Sequence, residues 1–154
     1  MSDVHPESEA RMVDVTAKEV TDRRAVASCT VVMSDETRDL VVRRGLDKGD
    51  ALEVARIAGI MAAKRTSDLI PLCHPIGIGA VEVALAPVER GIEIVATVRT
   101  SERTGVEMEA MTAATVAGLT VYDMVKGVER AVELTEVRLS EKTGGKSGKW
   151  TRPG

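Results

Sequence analysis

An aspartate and a lysine late in one apolar segment are residues that could move protons. Asp123 and Lys126 stand three positions apart within residues 103–127, and side chains at that spacing meet on a helix surface. A carboxylate beside an amine shifts the pKa of both groups and can exchange protons with a ligand. A helix-end ion pair worth roughly a few tenths of a kcal/mol has the same spacing, so both interpretations stay open.

Two acids, Glu107 and Glu109, stand at the other end of this segment. Fourteen residues separate Glu109 from Asp123, which places them about 40° apart on one helix face but about 21 Å apart along the axis. One small reacting centre in one subunit cannot contact both. The acids are unrelated, or they belong to different sites, or two subunits bring opposite helix ends together. We favour the third arrangement, because apolar residues surround almost the whole helix and one side then faces a partner subunit.

His74 lies between two prolines in the stretch LIPLCHPIGIG, residues 69–79. The sequence has no zinc-type spacing of Cys and His, and neighbouring side chains such as Cys73 and His74 point apart in an extended chain. A metal ligand and a Cys/His nucleophile pair are therefore disfavoured. A ligand contact and a hydrogen-bonded turn residue both remain.

The segment SEKTGGKSGKW, residues 140–150, combines lysines with glycines that free backbone N–H groups to face phosphate oxygens. It does not match a Walker A loop, which has a different glycine spacing and leads into a helix. A flexible basic tail is the simpler interpretation. Further basic candidates for phosphate contact are Arg23, Lys48, Lys64 and Arg65.

These residues need a scaffold, and the alternation of apolar and polar residues predicts four strands at 25–33, 79–86, 92–100 and 132–140. Ser34 and Asp50 are plausible N-caps of a short and a longer helix between the first two strands, and residues 103–127 predict the third. This order predicts an α+β, ferredoxin-like (βαββαβ) fold, an antiparallel sheet with helices on one face.

Length and composition restrict the domain organisation and the classes of function that are possible. The 154 residues suffice for one domain: we expect a flexible tail at 1–11, the domain at 12–140, and a Gly/Lys-rich segment at 141–154. Aromatic residues make up 1%, there is no Phe, and the net charge is −3, which disfavours nucleic-acid binding. Two cysteines and no membrane-length apolar run predict a cytoplasmic protein with no disulfide framework and no membrane association.

Four segments in order, residues 12–18, 48–75, 104–126 and 144–148, resemble the MoaC family, the cyclic pyranopterin monophosphate synthases of molybdenum cofactor biosynthesis. They read MVDVTAK, KGDALEVARIAGIMAAKRTSDLIPLCHP, TGVEMEAMTAATVAGLTVYDMVK and GGKSG. The resemblance covers nearly the whole chain. It implies a lyase that converts (8S)-3',8-cyclo-7,8-dihydroguanosine 5'-triphosphate, a cyclised dihydro-GTP, to cyclic pyranopterin monophosphate and diphosphate.

The resemblance also assigns roles. It makes Asp123 the catalytic acid/base, with Lys126 as its partner and Lys48 as another catalytic lysine. The residues that it implies contact the substrate are Leu72, Cys73, His74, Met108 and Glu109, together with the charged positions Glu107, Arg23, Lys142 and Lys146. It implies no metal site and no required cofactor, although Mg²⁺ can accompany the triphosphate.

The family is ferredoxin-like and forms a homohexamer, a trimer of dimers with active sites at subunit interfaces. The same expectation for this chain agrees with the two-subunit arrangement of its acids. Two other functions remain as alternatives: a noncatalytic ferredoxin-like module that senses a nucleotide, and a purely structural oligomer.

Overall fold

A computed structural model describes residues 8–154 of the chain, so the first seven residues of the predicted tail 1–11 lie outside the described part. The strands are β1 (Thr21–Val32), β2 (Ile78–Val88), β3 (Gly91–Glu102), β4 (Glu133–Thr143) and the short β5 (Trp150–Thr151). The helices are α1 (Asp35–Val42), α2 (Ala51–Lys64), α3 (Thr66–Leu69) and α4 (Glu107–Val125).

The five strands form one sheet in the order β2-β3-β1-β4-β5, and every neighbouring pair is antiparallel. Chain order and sheet order agree with the predicted α+β, ferredoxin-like arrangement. The four predicted strands are confirmed, each extending beyond at least one predicted end. β4 continues past residue 140 to Thr143, so the predicted boundary between domain and C-terminal segment lies inside a strand.

The core lies between the sheet and the helices and consists of small and branched aliphatic side chains. On β1, the fully buried residues Ala25, Ala27, Cys29 and Val31 alternate along the strand, and each is paired across β3 with another buried apolar residue. Alternate residues of a strand share one face. This face of the sheet is therefore the one that the helices cover.

The predicted caps Ser34 and Asp50 are confirmed, because their side chains accept hydrogen bonds from the backbone N–H of Thr37 and Glu53. Each bond satisfies an N–H that the first turn of a helix leaves unpaired. Asp50 fixes the start of α2, and the turn just before it carries Lys48.

Helix α4 packs against the sheet and against α2, which itself contacts β2. A Cβ placed on Gly59 of α2 would lie 3.0 Å from the carbonyl oxygen of Ala113, so the absent side chain lets the helices approach closely. Helix α2 of the same chain covers much of the side of α4 that the sheet leaves free, while Leu119 of α4 stays 57% exposed. Further cover of α4 by a partner subunit stays a prediction. Helix α2 also has an exposed apolar stripe, at Val54, Ile57 and Met61.

The C-terminal segment folds back as a hairpin. Trp150 of β5 is paired with Lys142 of β4, and the Arg152 guanidinium lies 5.9 Å from the centroid of the Trp150 ring, within cation–π range. The backbone of this basic segment is thereby held at the edge of the sheet.

Candidate functional site

One cavity of about 850 Å³ lies at the N-terminal end of α4. Its size is within the range of small-molecule sites. All nine residues predicted to contact a substrate line it: Arg23, Leu72, Cys73, His74, Glu107, Met108, Glu109, Lys142 and Lys146.

The loop between α3 and β2 places Leu72, Cys73 and His74 on one wall. The Cys73 N–H donates to the carbonyl oxygen of Ile70 at 3.1 Å, which closes the turn. Further along, the Gly77 N–H donates to the Glu102 carboxylate at 3.0 Å. The loop is thus anchored at both ends, and the half-buried His74 is held on a defined backbone.

The basic wall comes from β1 and the C-terminal segment. Arg23 donates from Nε to the carbonyl oxygen of Glu102 at 2.9 Å, which leaves part of its guanidinium for a ligand. Gly145 has φ of +73°, and a Cβ there would overlap the Arg23 guanidinium. Glycine at this position therefore lets the backbone pass beside Arg23 and bring Lys142 and Lys146 to the same wall.

The opposite wall is acidic and belongs to the first turn of α4. Glu107 Oε2 lies 3.5 Å from Lys142 Nζ, so this ion pair bridges the two walls. Glu109 is only 3% exposed. Burial raises the pKa of Glu109, the negative charge of Glu107 raises it further, and hydrogen bonds from its own backbone N–H and from Cys73 act in the opposite direction.

The N-terminal segment forms a wall to which sequence reasoning gave no role. Its residues at 13, 15 and 17–19 line the cavity, including Lys18, a fourth cation. Asp14 in the same segment accepts hydrogen bonds from Thr16, which lower the pKa of Asp14, and the nearby charge of His74 lowers it further. The sequence signal that marks this segment is the motif MVDVTAK, residues 12–18.

The three predicted catalytic residues meet elsewhere, at the C-terminal end of α4. Asp123 Oδ1 lies 3.1 Å from Lys126 Nζ, and Oδ2 lies 3.3 Å from Lys48 Nζ. Lys48 also donates to the Asp123 carbonyl oxygen at 2.9 Å. Hydrogen bonds from Lys126 and then Lys48 lower the pKa of Asp123. At neutral pH the Asp123 carboxylate is therefore ionised and can accept a proton.

Within one chain, the cavity residues and the three predicted catalytic residues do not come together. None of the three residues of the Asp123 cluster (Lys48, Asp123 and Lys126) lines the cavity, and the helix between Glu109 and Asp123 spans about 21 Å. The residues predicted to contact a substrate and the residues predicted to be catalytic thus lie at opposite ends of one helix.

Nothing in residues 8–154 gathers three His, Cys, Asp or Glu side chains in a group that could hold a metal ion. Mg²⁺ bound with the triphosphate therefore stays a prediction. Among those same residues, no helix is both long and apolar enough to cross a bilayer.

Comparison with known proteins gives consistent results. Residues 12–145 match the MoaC family. The chain is 57% identical over 143 residues to the cyclic pyranopterin monophosphate synthase of Streptomyces avermitilis, an alignment that covers 93% of this chain and 84% of that protein. It is 59% identical over 145 residues to cyclic pyranopterin monophosphate synthase 3 of Mycobacterium tuberculosis, covering 93% and 81%. It is 56% identical over 144 residues to the synthase of Rhodospirillum rubrum, covering 92% and 87%.

Proposed function

The chain belongs to the MoaC family, and from this membership we infer that it is a cyclic pyranopterin monophosphate synthase, a lyase of molybdenum cofactor biosynthesis. Its substrate is (8S)-3',8-cyclo-7,8-dihydroguanosine 5'-triphosphate, and its products are cyclic pyranopterin monophosphate and diphosphate.

The observation that carries this function is the charge distribution of the cavity. Arg23, Lys142 and Lys146 line one side, and Glu107 and Glu109 line another. A nucleotide with a triphosphate and a guanine-derived ring carries the complementary groups, anionic oxygens at one end and N–H donors at the other. The overall charge of −3 does not oppose this, because the cations are concentrated where phosphates would bind.

The Asp123 cluster supplies the proton chemistry of the rearrangement. Ring opening and closure need groups that take up and release protons beside the reacting atoms. Asp123 accepts protons, and Lys48 and Lys126 donate them and stabilise developing negative charge. This assignment requires the cluster to lie beside a substrate in the cavity.

A second subunit can meet that requirement. If two copies pack with their α4 helices antiparallel, the C-terminal end of one helix lies beside the N-terminal end of the other, and each two-fold interface contains two composite sites. The apolar stripe of α2 (Val54, Ile57 and Met61), which is 43–55% exposed, is a surface that assembly would cover. We extend this to a homohexamer, a trimer of dimers, located in the cytoplasm.

Replacing Asp123 by Asn tests the function. Purified parent and Asp123→Asn proteins are incubated with the cyclised dihydro-GTP, while diphosphate release and the oxidised pterin product are measured. Turnover by the parent and a loss of roughly 10²–10⁴ in the variant are expected if Asp123 is the proton acceptor. The matched control is Asp39→Asn, which makes the same change at another exposed helical carboxylate, 71% exposed on α1, and should retain full activity.

The alternatives give different results in this assay. A nucleotide-sensing module would bind the compound in both proteins and release no diphosphate. A structural oligomer would neither bind nor react, and Asp123→Asn would leave its assembly unchanged. Light scattering on each protein separates loss of chemistry from loss of assembly, and it tests the hexamer directly.

A further inference from the structure

A thiol contacts a buried carboxyl group inside the cavity. Cys73 Sγ lies 3.6 Å from Glu109 Oε2, between residues 36 positions apart in sequence. This distance fits a hydrogen bond in which the thiol donates and the carboxylate accepts. The His74 carbonyl oxygen, 3.7 Å from the same sulfur, is a second acceptor within reach. The contact joins the loop after α3 to the first turn of α4, the two elements that form adjacent walls.

The other carboxyl oxygen of Glu109 has no hydrogen-bond partner in the described chain. Oε1 is the one buried side-chain oxygen or nitrogen among residues 8–154 that makes no hydrogen bond, and the residue is 3% exposed. A buried polar atom left unpaired costs on the order of 1–3 kcal/mol. Such exceptions need an explanation, and the position of Glu109 in the cavity wall supplies one if a ligand provides the partner.

Cys73 is unsuited to a nucleophilic role. Burial, followed by the charge of Glu109 and its hydrogen bond, raises the pKa of the Cys73 thiol to about 11. At neutral pH the sulfur therefore keeps its proton, and the protonated thiol is not the reactive form. It is, however, the form that can donate a hydrogen bond.

We propose that Cys73 is a positioning residue, whose S–H holds Glu109 Oε2 and leaves Oε1 to accept a hydrogen bond from the ring system of the substrate. This rests on the proposed function for the identity of the ligand, a guanine-derived nucleotide. Without the thiol, the Glu109 carboxyl group loses the one side-chain donor that it has within the described part of the chain and can rotate away from the ring.

Several charged groups share this environment and bear on any pH measurement. Glu107 lies on the same helix, His74 on the loop, Arg23 on β1, and Lys142 on β4. Of these, Glu107 raises the pKa of Glu109, whereas the Cys73 hydrogen bond lowers it. Removing the thiol should therefore raise the pKa of Glu109. Loss of packing alone does not produce this increase.

Three variants test the proposal. Cys73→Ala removes the donor, and Cys73→Ser restores one. Cys29→Ala is the matched control, because it deletes the second thiol of the chain, which is fully buried and whose hydrogen bond goes to the Thr30 carbonyl oxygen. Infrared spectra of the assembled proteins, labelled with ¹³C-glutamate, are recorded across a pH titration. The Glu109 band is identified by its absence in Glu109→Gln.

The expected result has two parts. In Cys73→Ala, Glu109 titrates at higher pH than in the parent, and KM for the cyclised dihydro-GTP rises about tenfold while kcat changes by less than about threefold. Cys73→Ser returns both quantities toward the parent values. Cys29→Ala lowers the melting temperature, but leaves the titration and KM unchanged.

Two results would overturn the proposal: an unchanged Glu109 titration in Cys73→Ala, or equal losses in the Ala and Ser variants. The infrared titration needs no turnover, so it is interpretable even if the parent fails to release diphosphate. That failure would count against the proposed function and leave the thiol–carboxyl contact to be judged on the spectra.

Discussion

Mixing two inactive variants measures whether the site is shared between subunits. Asp123→Asn disables the C-terminal end of α4, and His74→Ala disables the cavity at the N-terminal end. Each variant alone should be inactive, because every site in an assembly of identical variant subunits contains the same substitution. The two are coexpressed with different tags and the mixed assemblies are analysed.

The expected recovery follows from the geometry. At a two-fold interface each site takes the cavity from one subunit and the Asp123 cluster from the other. In a pair of two different variants, one site then contains both substitutions and the other contains neither. Random pairing makes about half of all pairs mixed, so about one quarter of the sites, and of the parent activity, should return. Diphosphate release per mole of protein, divided by that of the parent, gives this fraction.

In the control pair of variants, both substitutions lie at the C-terminal end of α4. Asp123→Asn mixed with Lys126→Ala affects the two members of one ion pair, 3.1 Å apart, so every site in every pairing contains a fault. This mixture should stay at the level of its separate components. If purified mixed assemblies of the first pair also show no recovery, the two ends of α4 do not act in one shared site, and the proposed arrangement is wrong.

Three further predictions concern the folded chain. Gly91, the first residue of β3, has φ of +152°, and a Cβ there would overlap the Val31 carbonyl oxygen. Gly91→Ala should therefore lower the free energy of unfolding by roughly 3 kcal/mol in urea titrations; an unchanged midpoint would contradict this close approach of the two strands. Hydrogen bonds, chiefly from Thr37, lower the pKa of Glu129. The ionised Glu129 therefore stabilises the folded chain above pH about 4.3, and this contribution disappears as the pH falls. The Glu129→Gln variant should be less stable than the parent at pH 7 and equally stable in acid. With a pKa of about 11, the partly buried Cys73 should react with iodoacetamide about tenfold faster for each pH unit between roughly 8 and 10, and rapid alkylation at pH 7 would refute its protonated state.

The sequence predicts the sheet and the helix starts well, because these depend on local patterns. Alternating apolar residues identify the four long strands, and Ser34 and Asp50 cap helices as expected. The extension of β4 to Thr143 was missed because its last residues, Glu141 to Thr143, are polar. Backbone hydrogen bonds to β1 hold them in the strand whatever their side chains are.

Contacts between distant segments are the part that the sequence could not predict. The apolar surface of α4 indicated cover on two sides, but periodicity does not say whether α2 or another subunit provides it. The wall at 13–19 has no helix or strand periodicity to mark it. The Cys73–Glu109 contact joins residues from a loop and a helix and exists only because the tertiary fold brings them together.

The hairpin of β4 and β5 gives this protein an internal optical reporter. Trp150 is the only tryptophan in the chain, which has one tyrosine and no phenylalanine, and it is paired with Lys142 at the basic wall. Emission excited at the red edge of indole absorption therefore comes from this one strand. The intrinsic fluorescence of the unlabelled protein thus follows the local environment of the C-terminal hairpin while phosphate-bearing compounds are added.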